Sequence, residues 1–581
     1  MKAIIRRRQA ASLACPFSDN THPLLQQIYS SRGVTAPEQI QTDLSSLIKP
    51  DALKGLSAAV DRIQQALVHR QRILVVGDFD ADGATSSALA VMALKFMGAD
   101  YVDFLVPNRF EYGYGLTPEI VAVARQFSPD LIITVDNGIS SIAGVDEANA
   151  ASIDVVVTDH HLPGSELPRA CAIVNPNQPG CDFSSKNLAG VGVIFYVMTA
   201  LRARLRSSNW FIDRAIDEPN MADFLDLVAL GTVADVVPLD HNNRILVAQG
   251  LLRIRAGKTR PGIKALLKIA NRSEHRLVSA DLGFALGPRL NAAGRLDDMS
   301  LGIQCLMTTD VNLASEIAQQ MDDLNQDRKS IENSMQQEAL QSLKNFEVDE
   351  KTLPYGLCLY DANWHQGVIG ILASRIKERY HRPVIAFADA DEEGVIKGSA
   401  RSIPGLHIRD ALDAVAASNP QLLSKFGGHA MAAGMSLEKR YYQQFEAAFD
   451  QEVRRQLTED DLQAIVLSDG ELTPVDINLD LAQLLRDAGP WGQHFPEPLF
   501  DGTFTLVQQR IVGEKHLKMV LGVKGDEQHL VDAIAFNVDL KRWPNPDANS
   551  VTVAYKLDVN EFRGTQSVQL LVDQINVVEG G

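Results

Sequence analysis

The sequence has few cysteines and no long apolar run, and these absences exclude several classes of protein. Its five cysteines are scattered over 581 residues without a C-x-x-C pair, which argues against a disulfide framework and a zinc–cysteine site. The longest nearly apolar stretch, 188–201, contains two glycines and is shorter than the roughly 18 residues of a membrane span. It predicts a buried core helix. The basic N-terminal segment lacks the apolar core of a secretory signal. We therefore expect a cytoplasmic protein with no membrane segment.

Basic residues are in the minority, since 55 Lys and Arg stand against 73 Asp and Glu, a net charge of −18. This balance argues mildly against a protein that coats nucleic acid, but it does not exclude a local basic groove. Segment 251–276 contains one acid and eight basic residues: Arg253, Arg255, Lys258, Arg260, Lys264, Lys268, Arg272 and Arg276. Two interpretations stay open for this segment: a solvated helical face, or a track for a phosphate backbone.

Segment 72–161 alternates short apolar runs with helical stretches. The four runs, 73–76, 101–106, 131–135 and 153–157, are nearly continuous in apolar residues rather than alternating. Such strands are typical of a parallel sheet that helices cover on both faces. The pattern predicts a doubly wound α/β domain, which we place at 46–310, after an N-terminal extension at 1–45.

A long helix and a second domain are expected next. From Ile303 to Leu353 there is neither glycine nor proline, and apolar residues recur at spacings of three and four. This predicts one long helix, and we assign 311–350 to a helix that connects two domains. Segment 351–460 again mixes β-type and helical runs, so it predicts a second α/β domain.

The C-terminal segment, 461–581, has a different pattern. Apolar and polar residues alternate with a period of two, as in 517–523 and 551–559, which predicts a small antiparallel β domain. About five short strands with a basic stretch fit an OB-type barrel, although other small barrels would give the same pattern. The candidate residues for gripping a nucleic acid are Arg510, Lys515 and Lys518.

Three of the predicted strands run directly into carboxylates or histidines. One ends in Gly-Asp-Phe-Asp-Ala-Asp-Gly at 77–83, one in Asp-Asn-Gly at 136–138, and one in Asp-His-His at 159–161. Because ligand crevices lie beyond the carboxyl ends of parallel strands, we expect these groups to converge. A further acid, Asp235, follows an apolar helical run and could complete the ring.

Carboxylates crowded in this way raise one another's pKa unless cations neutralise them, so the arrangement predicts metal ions. Oxygen ligands with one or two imidazoles and no thiolate suit Mn²⁺ or Mg²⁺, and two such ions could promote phosphodiester hydrolysis. Taken singly, each motif has another interpretation. The first resembles a calcium loop, although Leu89 stands where an EF-hand needs its Glu. The others could be a turn, a surface histidine pair and a helix cap.

Together and in this order, these four motifs resemble those of the DHH phosphoesterase family. Three later stretches resemble the branch of that family formed by single-strand-specific exonucleases: Gly287–Arg295, Trp364–Gly370 with Ser374 and Arg375, and Phe426–Ala430. The resemblance covers roughly residues 45 to 581. It implies a DHH domain, a connecting helix, a substrate-binding DHHA1 domain and a terminal OB-type domain.

The resemblance implies a catalytic site of eight residues: Asp78, Asp80, Asp82, Asp136, Asp159, His160, His161 and Asp235. Six of them would bind two divalent ions, Mn²⁺ or Mg²⁺, with Asp136 bridging, Asp78 and Asp80 on one ion, and Asp82, His160 and Asp235 on the other. Asp159 would orient its neighbours, and His161 would face the scissile phosphate.

The resemblance also implies residues that bind the substrate or line a narrow channel: Arg109, Tyr114, Arg289, Asn291, Arg295, His365, Ser374, Arg375, Gly427, Gly428 and His429. Glycines allow close backbone approach to a phosphate, and Arg375 can make a bidentate contact. Other interpretations remain open. The glycine pair could be a simple turn and Arg375 a surface cation, while Tyr114 and Trp364 could stack on bases or belong to a core.

The function implied is a Mn²⁺- or Mg²⁺-dependent exonuclease that degrades single-stranded DNA from 5′ to 3′ into mononucleotides, in DNA repair and recombination. The implied partners are single-stranded DNA, a single-stranded-DNA-binding protein and a RecQ-type helicase. One rival is a phosphodiesterase for short oligonucleotides or pyrophosphate, which would need no upstream grip. Another is a catalytically dead replication scaffold, which we would expect to have lost some of the acids.

Overall fold

The computed structural model describes residues 3–9, 17, 21–107, 115–345, 353–423, 425–428 and 430–578. The chain forms two compact units. The first unit comprises the described residues from 9 to 325 together with 484–497; the second comprises those up to 8, 326–483 and those from 498 onward. Strand β1 (Ile4–Arg7) belongs to the second unit.

The first unit is built on a five-stranded parallel sheet. Its strands are β2 (Arg72–Val76), β3 (Tyr101–Leu105), β4 (Leu131–Val135), β5 (Asp154–Thr158) and β6 (Ala172–Val174). Their order is β3-β2-β4-β5-β6, so the chain reverses its winding direction between β2 and β4. This confirms the doubly wound sheet. Strand β6 extends the sheet beyond the four predicted runs.

Thirteen helices of the first unit are α1 (Pro23–Ser31), α2 (Leu56–Val68), α3 (Ala81–Phe96), α4 (Pro118–Ala124), α5 (Ile142–Ala150), α6 (Gly190–Ser207), α7 (Trp210–Arg214), α8 (Leu225–Ala234), α9 (His241–Arg255), α10 (Pro261–Ile269), α11 (Ser279–Asp281), α12 (Gly287–Leu296) and α13 (Ser300–Met307). A π-helix, Leu282–Leu286, lies between α11 and α12. The apolar stretch 188–201 lies mostly in α6, whose residues 190–198 are all buried, as predicted for a core helix. Within the described ranges, no helix is both long and apolar enough to span a membrane.

The long connecting helix is α14 (Val311–Asn345), which has 35 residues. The segment without glycine or proline that begins at Ile303 contains two helices rather than one, because α13 ends at Met307 and α14 begins at Val311, where the connecting helix was placed. The Asp310 carboxylate accepts hydrogen bonds from the backbone amides of Asn312 and Leu313, at 2.8 and 3.3 Å, and so caps a new helix. An apolar spacing that continues through both helices hides this break. The last part of the predicted helix, 346–350, lies outside the described residues.

The second unit contains a mixed sheet in the order β10-β11-β9-β8-β7, in which only the β7–β8 pair is parallel. Its strands are β7 (Leu357–Tyr360), β8 (Val384–Asp389), β9 (Val395–Arg401), β10 (Lys425–Gly428) and β11 (Ala432–Glu438), and its helices are α15 (Ile369–Tyr380), α16 (Ile408–Ser418) and α17 (Tyr442–Gln456). The helices and strands pack around two apolar clusters, one that includes Phe387 and Phe445 and one that includes Leu372 of α15. The second α/β fold is thus confirmed.

The remaining strands include a closed five-stranded barrel. Strand β12 (Ile465–Ser468) pairs with β1, and α18 (Leu479–Asp487) follows. The barrel, in the order β13-β14-β15-β17-β16, consists of β13 (Phe500–Val512), β14 (His516–Val523), β15 (Asp526–Ala535), β16 (Ser550–Phe562) and β17 (Thr565–Val577). Because the sheet closes, these strands have no free edge. The predicted C-terminal barrel is confirmed.

Candidate metal centre and phosphate-binding residues

The acids and histidines predicted at the strand ends lie together in the first unit. Three groups offer one ligand atom per residue, all within 4.8 Å of one another: Asp78–Asp80–Asp136, Asp82–His160–Asp235 and Asp136–His160–His161. They lie beyond the carboxyl ends of β2, β4 and β5, where the sheet changes winding direction, and at the end of α8. The structure therefore brings together all six residues predicted to bind metal.

Negative charge is concentrated in this cluster. Burial, and then the neighbouring Asp82, raise the pKa of Asp136 well above its usual range, and Asp136 is only 2% exposed. Burial, and then Asp82, also raise the pKa of Asp235 well above its usual range. Burial and Asp80 raise the pKa of Asp82 to about 7. A divalent cation would remove this repulsion, and a donor set of carboxylates with an imidazole suits Mn²⁺ or Mg²⁺.

Backbone amides orient the acids that follow β2. The Asp80 carboxylate caps α3 by accepting hydrogen bonds from the amides of Asp82 and Gly83, at 2.9 and 3.0 Å. The Asp82 carboxylate in turn accepts hydrogen bonds from the amides of Gly190 and Val191, at 2.6 and 2.9 Å. These two amides begin α6, so the positive end of a helix dipole faces the Asp82 carboxylate.

Glycines let the surrounding helices approach the acids. A Cβ atom at Gly190 would lie 2.6 Å from Asp136 Oδ1, and one at Gly231 would lie 2.8 Å from Asp82 Oδ1. Asp136 itself has a φ of 62°, a conformation that is uncommon for a residue other than glycine. The backbone around the cluster is therefore shaped to present these carboxylates.

Asp159 holds the two histidines in place rather than joining the ligand groups. Its Oδ1 atom accepts hydrogen bonds from the amides of His160 and His161 and lies 2.8 Å from His161 Nδ1, while Oδ2 accepts one from Ile139. Burial acts to raise the pKa of Asp159, but the hydrogen bond and charge of His161, together with the charge of His160 and the amide of Ile139, lower it overall. Burial acts to lower the pKa of His161, but the hydrogen bond and charge of Asp159, together with the charges of Asp78 and Asp80, raise it to about 9.

Two asparagines that the sequence analysis did not identify also hold these histidines. Asn175 Nδ2 donates to the carbonyl oxygen of His161 at 2.9 Å, and Asn177 Nδ2 donates to that of His160 at 2.6 Å. Both asparagines follow β6. The apolar run Ala-Ile-Val before Asn-Pro-Asn is the signal that could have revealed a fourth strand end at the site.

The predicted channel residues of α12 contact α14 and segment 78–82, which carries Asp78, Asp80 and Asp82 and is called the acid loop below. Asn291 Oδ1 accepts a hydrogen bond from the amide of Ala81 at 2.8 Å. A Cβ atom at Gly294 would lie 1.8 Å from the carbonyl oxygen of Phe79. Arg289 forms an ion pair with Asp322 at 2.8 Å, and Arg295 is half-buried. These contacts support the acid loop, and roles in substrate binding stay predictions. Arg109 and Tyr114 lie outside the described residues.

Several predicted phosphate contacts in the second unit are already engaged within the protein. His365 Nδ1 accepts a hydrogen bond from the amide of Gly367, and the Ser374 hydroxyl donates to the carbonyl oxygen of Gly370 at 3.2 Å. Arg375 forms ion pairs with Glu332 at 2.9 Å and Glu378 at 3.3 Å. These acids neutralise the cation that the sequence predicted for a phosphate.

Trp364 and the glycine pair of this unit differ in how closely they are packed. Trp364 is 6% exposed and lies in a core cluster, which favours the core interpretation over base stacking. Gly428 has a φ of 148°, and a Cβ atom there would lie 2.4 Å from the carbonyl oxygen of Ala432. Gly427, by contrast, has open space where a Cβ atom would be. His429 lies outside the described residues.

Arg401 is a cation that the sequence analysis missed. It ends β9, where it donates to the Ser399 hydroxyl at 3.0 Å and to the carbonyl oxygen of Ala400 at 2.8 Å. A Cβ atom at Gly370 would lie 2.8 Å from its Nη2 atom, so the guanidinium group lies beside the first turn of α15. Burial lowers its pKa, and no carboxylate of the described residues pairs with it. In the sequence, the pattern that could have indicated Arg401 is an arginine that follows three small residues, Gly-Ser-Ala, at the end of a strand.

The barrel and the basic segment differ in how their cations are paired. Arg510 and Lys515 are exposed, and Arg510 stands opposite Lys518, which pairs with Asp532 at 3.2 Å. In segment 251–276, by contrast, four basic residues have acidic partners: Arg253 with Asp223, Arg260 with Asp226, Lys264 with Glu274 and Arg272 with Asp281. This pairing favours the solvated helical face over a phosphate track.

Comparison with known proteins agrees with this architecture. Three family profiles match: the DHH family, N-terminal domain, at 72–232; the DHHA1 domain at 353–459; and the RecJ OB domain at 468–574. The single-stranded-DNA-specific exonuclease RecJ of Dickeya dadantii is 56% identical over 98% of each chain, and that of Escherichia coli is 55% identical over the same shares. The chain belongs to the RecJ family.

A solved structure extends this family comparison. The crystal structure of RecJ from Thermus thermophilus in complex with Mn²⁺ is 30% identical, with a TM-score of 0.78 over 100% of this chain and 79% of that one. The RecJ family match identifies the barrel as an OB domain, which resolves the choice among small barrels. The exact domain boundaries stay predictions.

Proposed function

We propose that this protein is an exonuclease specific for single-stranded DNA, which hydrolyses phosphodiester bonds from 5′ to 3′ and releases mononucleotides. The observation that carries the proposal is the convergence of five aspartates and two histidines at one end of the parallel sheet. The relatives at 55–56% identity are named as single-stranded-DNA-specific exonucleases, which gives the substrate class. The direction of digestion rests on the family resemblance.

Two divalent ions, Mn²⁺ or Mg²⁺, fit the cluster. Asp78 and Asp80 would hold one ion and Asp82, His160 and Asp235 the other, a division that two of the groups of neighbouring ligand atoms support. Asp136 would bind both ions, as the family resemblance implies. The crystallised T. thermophilus relatives contain Mn²⁺ in one structure and Mg²⁺ in another. Such ions lower the pKa of bound water and stabilise the leaving oxygen of a phosphodiester.

Other residues of the chain would bind and orient the strand. His161 would donate to an oxygen of the scissile phosphate, and Asp159, whose Oδ1 atom lies 2.8 Å from His161 Nδ1, would fix its ring. In the second unit, Ser399 and Arg401 would bind another phosphate. Arg510 and Lys515 on the barrel would contact the backbone of longer strands.

The proposal includes a cellular setting inferred from the same family resemblance. A single-stranded-DNA-binding protein and a RecQ-type helicase would supply the unpaired strand during repair and recombination. The location would be the cytoplasm, where cysteines stay reduced, and the four cysteines of the described residues are all free.

Digestion of matched single-stranded and duplex DNA, labelled at the 5′ or the 3′ end, tests the function. With Mn²⁺ or Mg²⁺ we expect early release of the 5′ label as a mononucleotide from single strands only, and none with a chelator. Rapid cleavage of dinucleotides or pyrophosphate with inert long strands would overturn the exonuclease and support a small-substrate phosphodiesterase. An inert protein would support the scaffold. The Asp136→Asn variant controls for contaminating nucleases.

A further inference from the structure

Three large apolar side chains are exposed on segments that carry the predicted metal ligands or pack on those segments, and we call them the apolar rim. Leu162 follows His161 and is 58% exposed, Val236 follows Asp235 and is 61% exposed, and Phe284 is 85% exposed. Phe284 has the greatest exposure of any large hydrophobic residue that the structure describes. Apolar side chains that are exposed together at a polar site are typical of a binding surface.

Packing contacts place the π-helix of Phe284 against the end of α8, which Val236 follows. The π-helix that contains Phe284 packs on the last turn of α8, because a Cβ atom at Gly283 would lie 3.2 Å from Val233 Cγ1. The amide of Val236 donates to the carbonyl oxygen of Val233 at 3.3 Å, so Val236 belongs to this turn as well. Asp235, between them in the chain, lies 3.5 Å from His160 Nε2. Val236 and the π-helix of Phe284 therefore lie at the end of α8 that presents Asp235 to the predicted metal cluster.

The backbone of the rim is also unusual. Val236 has a φ of 63°, a left-handed conformation that is costly for a β-branched side chain. Phe284 lies in a π-helix, a form that occurs most often at functional sites. Its neighbours Leu282, Ala285 and Leu286 are buried, so the wide turn leaves only the phenyl ring in solvent. Strained backbone that displays apolar side chains is expected where those side chains have a ligand.

We propose that the apolar rim binds an unpaired nucleobase of the substrate, with the Phe284 ring stacked on the base and Val236 against its edge. The inference rests on the proposed function, because it places this base next to the phosphate held at the metal cluster. Stacking is tolerant of sequence, since every base has an aromatic face. A base inside a duplex has both faces covered by its neighbours, and a base at the duplex end is held by pairing, so the rim would favour unpaired strands within the first unit itself.

The first test compares Phe284→Ala with Ile212→Ala, which removes another exposed side chain, 78% exposed, from α7 of the same unit. For single-stranded DNA, Phe284→Ala should raise KM by about tenfold and leave kcat within about twofold, as expected for loss of one stacking contact. Ile212→Ala should match the wild type. Both variants should keep the wild-type melting temperature and Mn²⁺ affinity by calorimetry, because neither side chain is buried.

The second test uses oligonucleotides with one abasic nucleotide at successive positions from the 5′ end. Wild-type protein should bind one of these more weakly, and Phe284→Ala should bind that one and the intact strand equally. Phe284→Trp should restore both the affinity and the abasic effect. Equal KM for wild type and Phe284→Ala, or an equal penalty on every abasic strand, would overturn the inference.

These outcomes separate the inference from the proposed function. If the wild type digests single strands and Phe284→Ala does too with unchanged KM, the exonuclease stands and the rim fails. If the wild type does not digest single strands, both fail. A rim that serves a protein partner instead would leave every DNA measurement of Phe284→Ala at its wild-type value, and that result also counts against a nucleobase site.

Discussion

Charge is concentrated in one part of this molecule and balanced in another. In the first unit, carboxylates are buried beside one another, and their pKa values are raised because burial and like charges oppose ionisation. In the second unit, Arg375 lies between Glu332 and Glu378, and its charge is balanced within the protein. A cluster whose charge is left unbalanced marks a place where a ligand completes the structure. No carboxylate of the described residues pairs with Arg401, whereas two pair with Arg375. By the same criterion, Arg401 is the better candidate of these two arginines for binding an anion.

The largest effect is expected from Asp136→Asn, which tests whether the crowded carboxylates are the catalytic centre. Because Asp136 belongs to two of the ligand groups, its loss should lower turnover of single-stranded DNA by at least about a thousandfold. In chelator, its melting temperature should not fall, since one source of repulsion is removed. The control is Asp146→Asn, which changes an exposed acid paired with Arg169. Turnover near that of the wild type would contradict the metal site.

A comparison of two arginines sharpens the contrast within the second unit. Arg401→Ala should raise KM for single-stranded DNA by about tenfold or more, because a charge-assisted contact to phosphate is lost. Arg375→Ala should change KM by no more than about threefold, since Glu332 and Glu378 already hold that side chain. Steady-state kinetics of both variants decides the matter. The reverse ranking would restore Arg375 to the role that the sequence predicted.

The pH dependence of stability tests the unbalanced charge directly. Burial and Asp80 raise the pKa of Asp82 from 3.8 to about 7, so the protonated form favours the folded state. Its contribution to stability is complete below about pH 4 and is lost as the pH rises through about 7. In chelator, the melting temperature of the wild type relative to Asp82→Asn should therefore fall between pH 5 and pH 8. Saturating Mn²⁺ should remove this fall. A difference that stays flat in chelator would contradict the assignment.

The smallest effect is expected at the barrel. Arg510→Ala should weaken binding of long single strands modestly and reduce the slope of log affinity against log salt by about 0.7, the value for one phosphate contact to a single strand. Lys518→Ala should reduce it less, because Lys518 is paired with Asp532. Fluorescence anisotropy at several salt concentrations gives both slopes. Unchanged slopes would mean that this face of the barrel does not contact the strand.

Most of the architecture was predictable from local patterns. The continuous apolar runs identified four strands of the parallel sheet, and the period of two identified the barrel, because burial on two faces or one leaves a distinct pattern in the chain. The apolar spacing by itself did not reveal the break between α13 and α14, although the connecting helix was placed at 311, where α14 begins. There the apolar spacing continues while Asp310 caps a new helix, and a single capping residue is a weaker signal than periodicity.

Some residues of the candidate site could likewise be predicted from local patterns, and others could not. The acids at the ends of β2, β4 and β5 could be assembled from sequence, since parallel strands deliver their carboxyl ends to one edge. Asn175 and Asn177 were not identified, because the strand before them, β6, has only three residues and so leaves a weak signal. Arg375 and Arg401 both lie in the predicted substrate-binding domain. Only the structure shows that acidic neighbours pair with Arg375.

By itself the sequence determined the order of the domains, the family and the residues able to bind metal, because each of these depends on local patterns and on residue types at fixed spacings. The tertiary structure alone decided which charges are balanced by neighbours distant in the chain. It also decided which apolar side chains, such as Phe284, remain in solvent beside the site. Both depend on contacts between residues far apart in sequence, and no local pattern encodes such contacts.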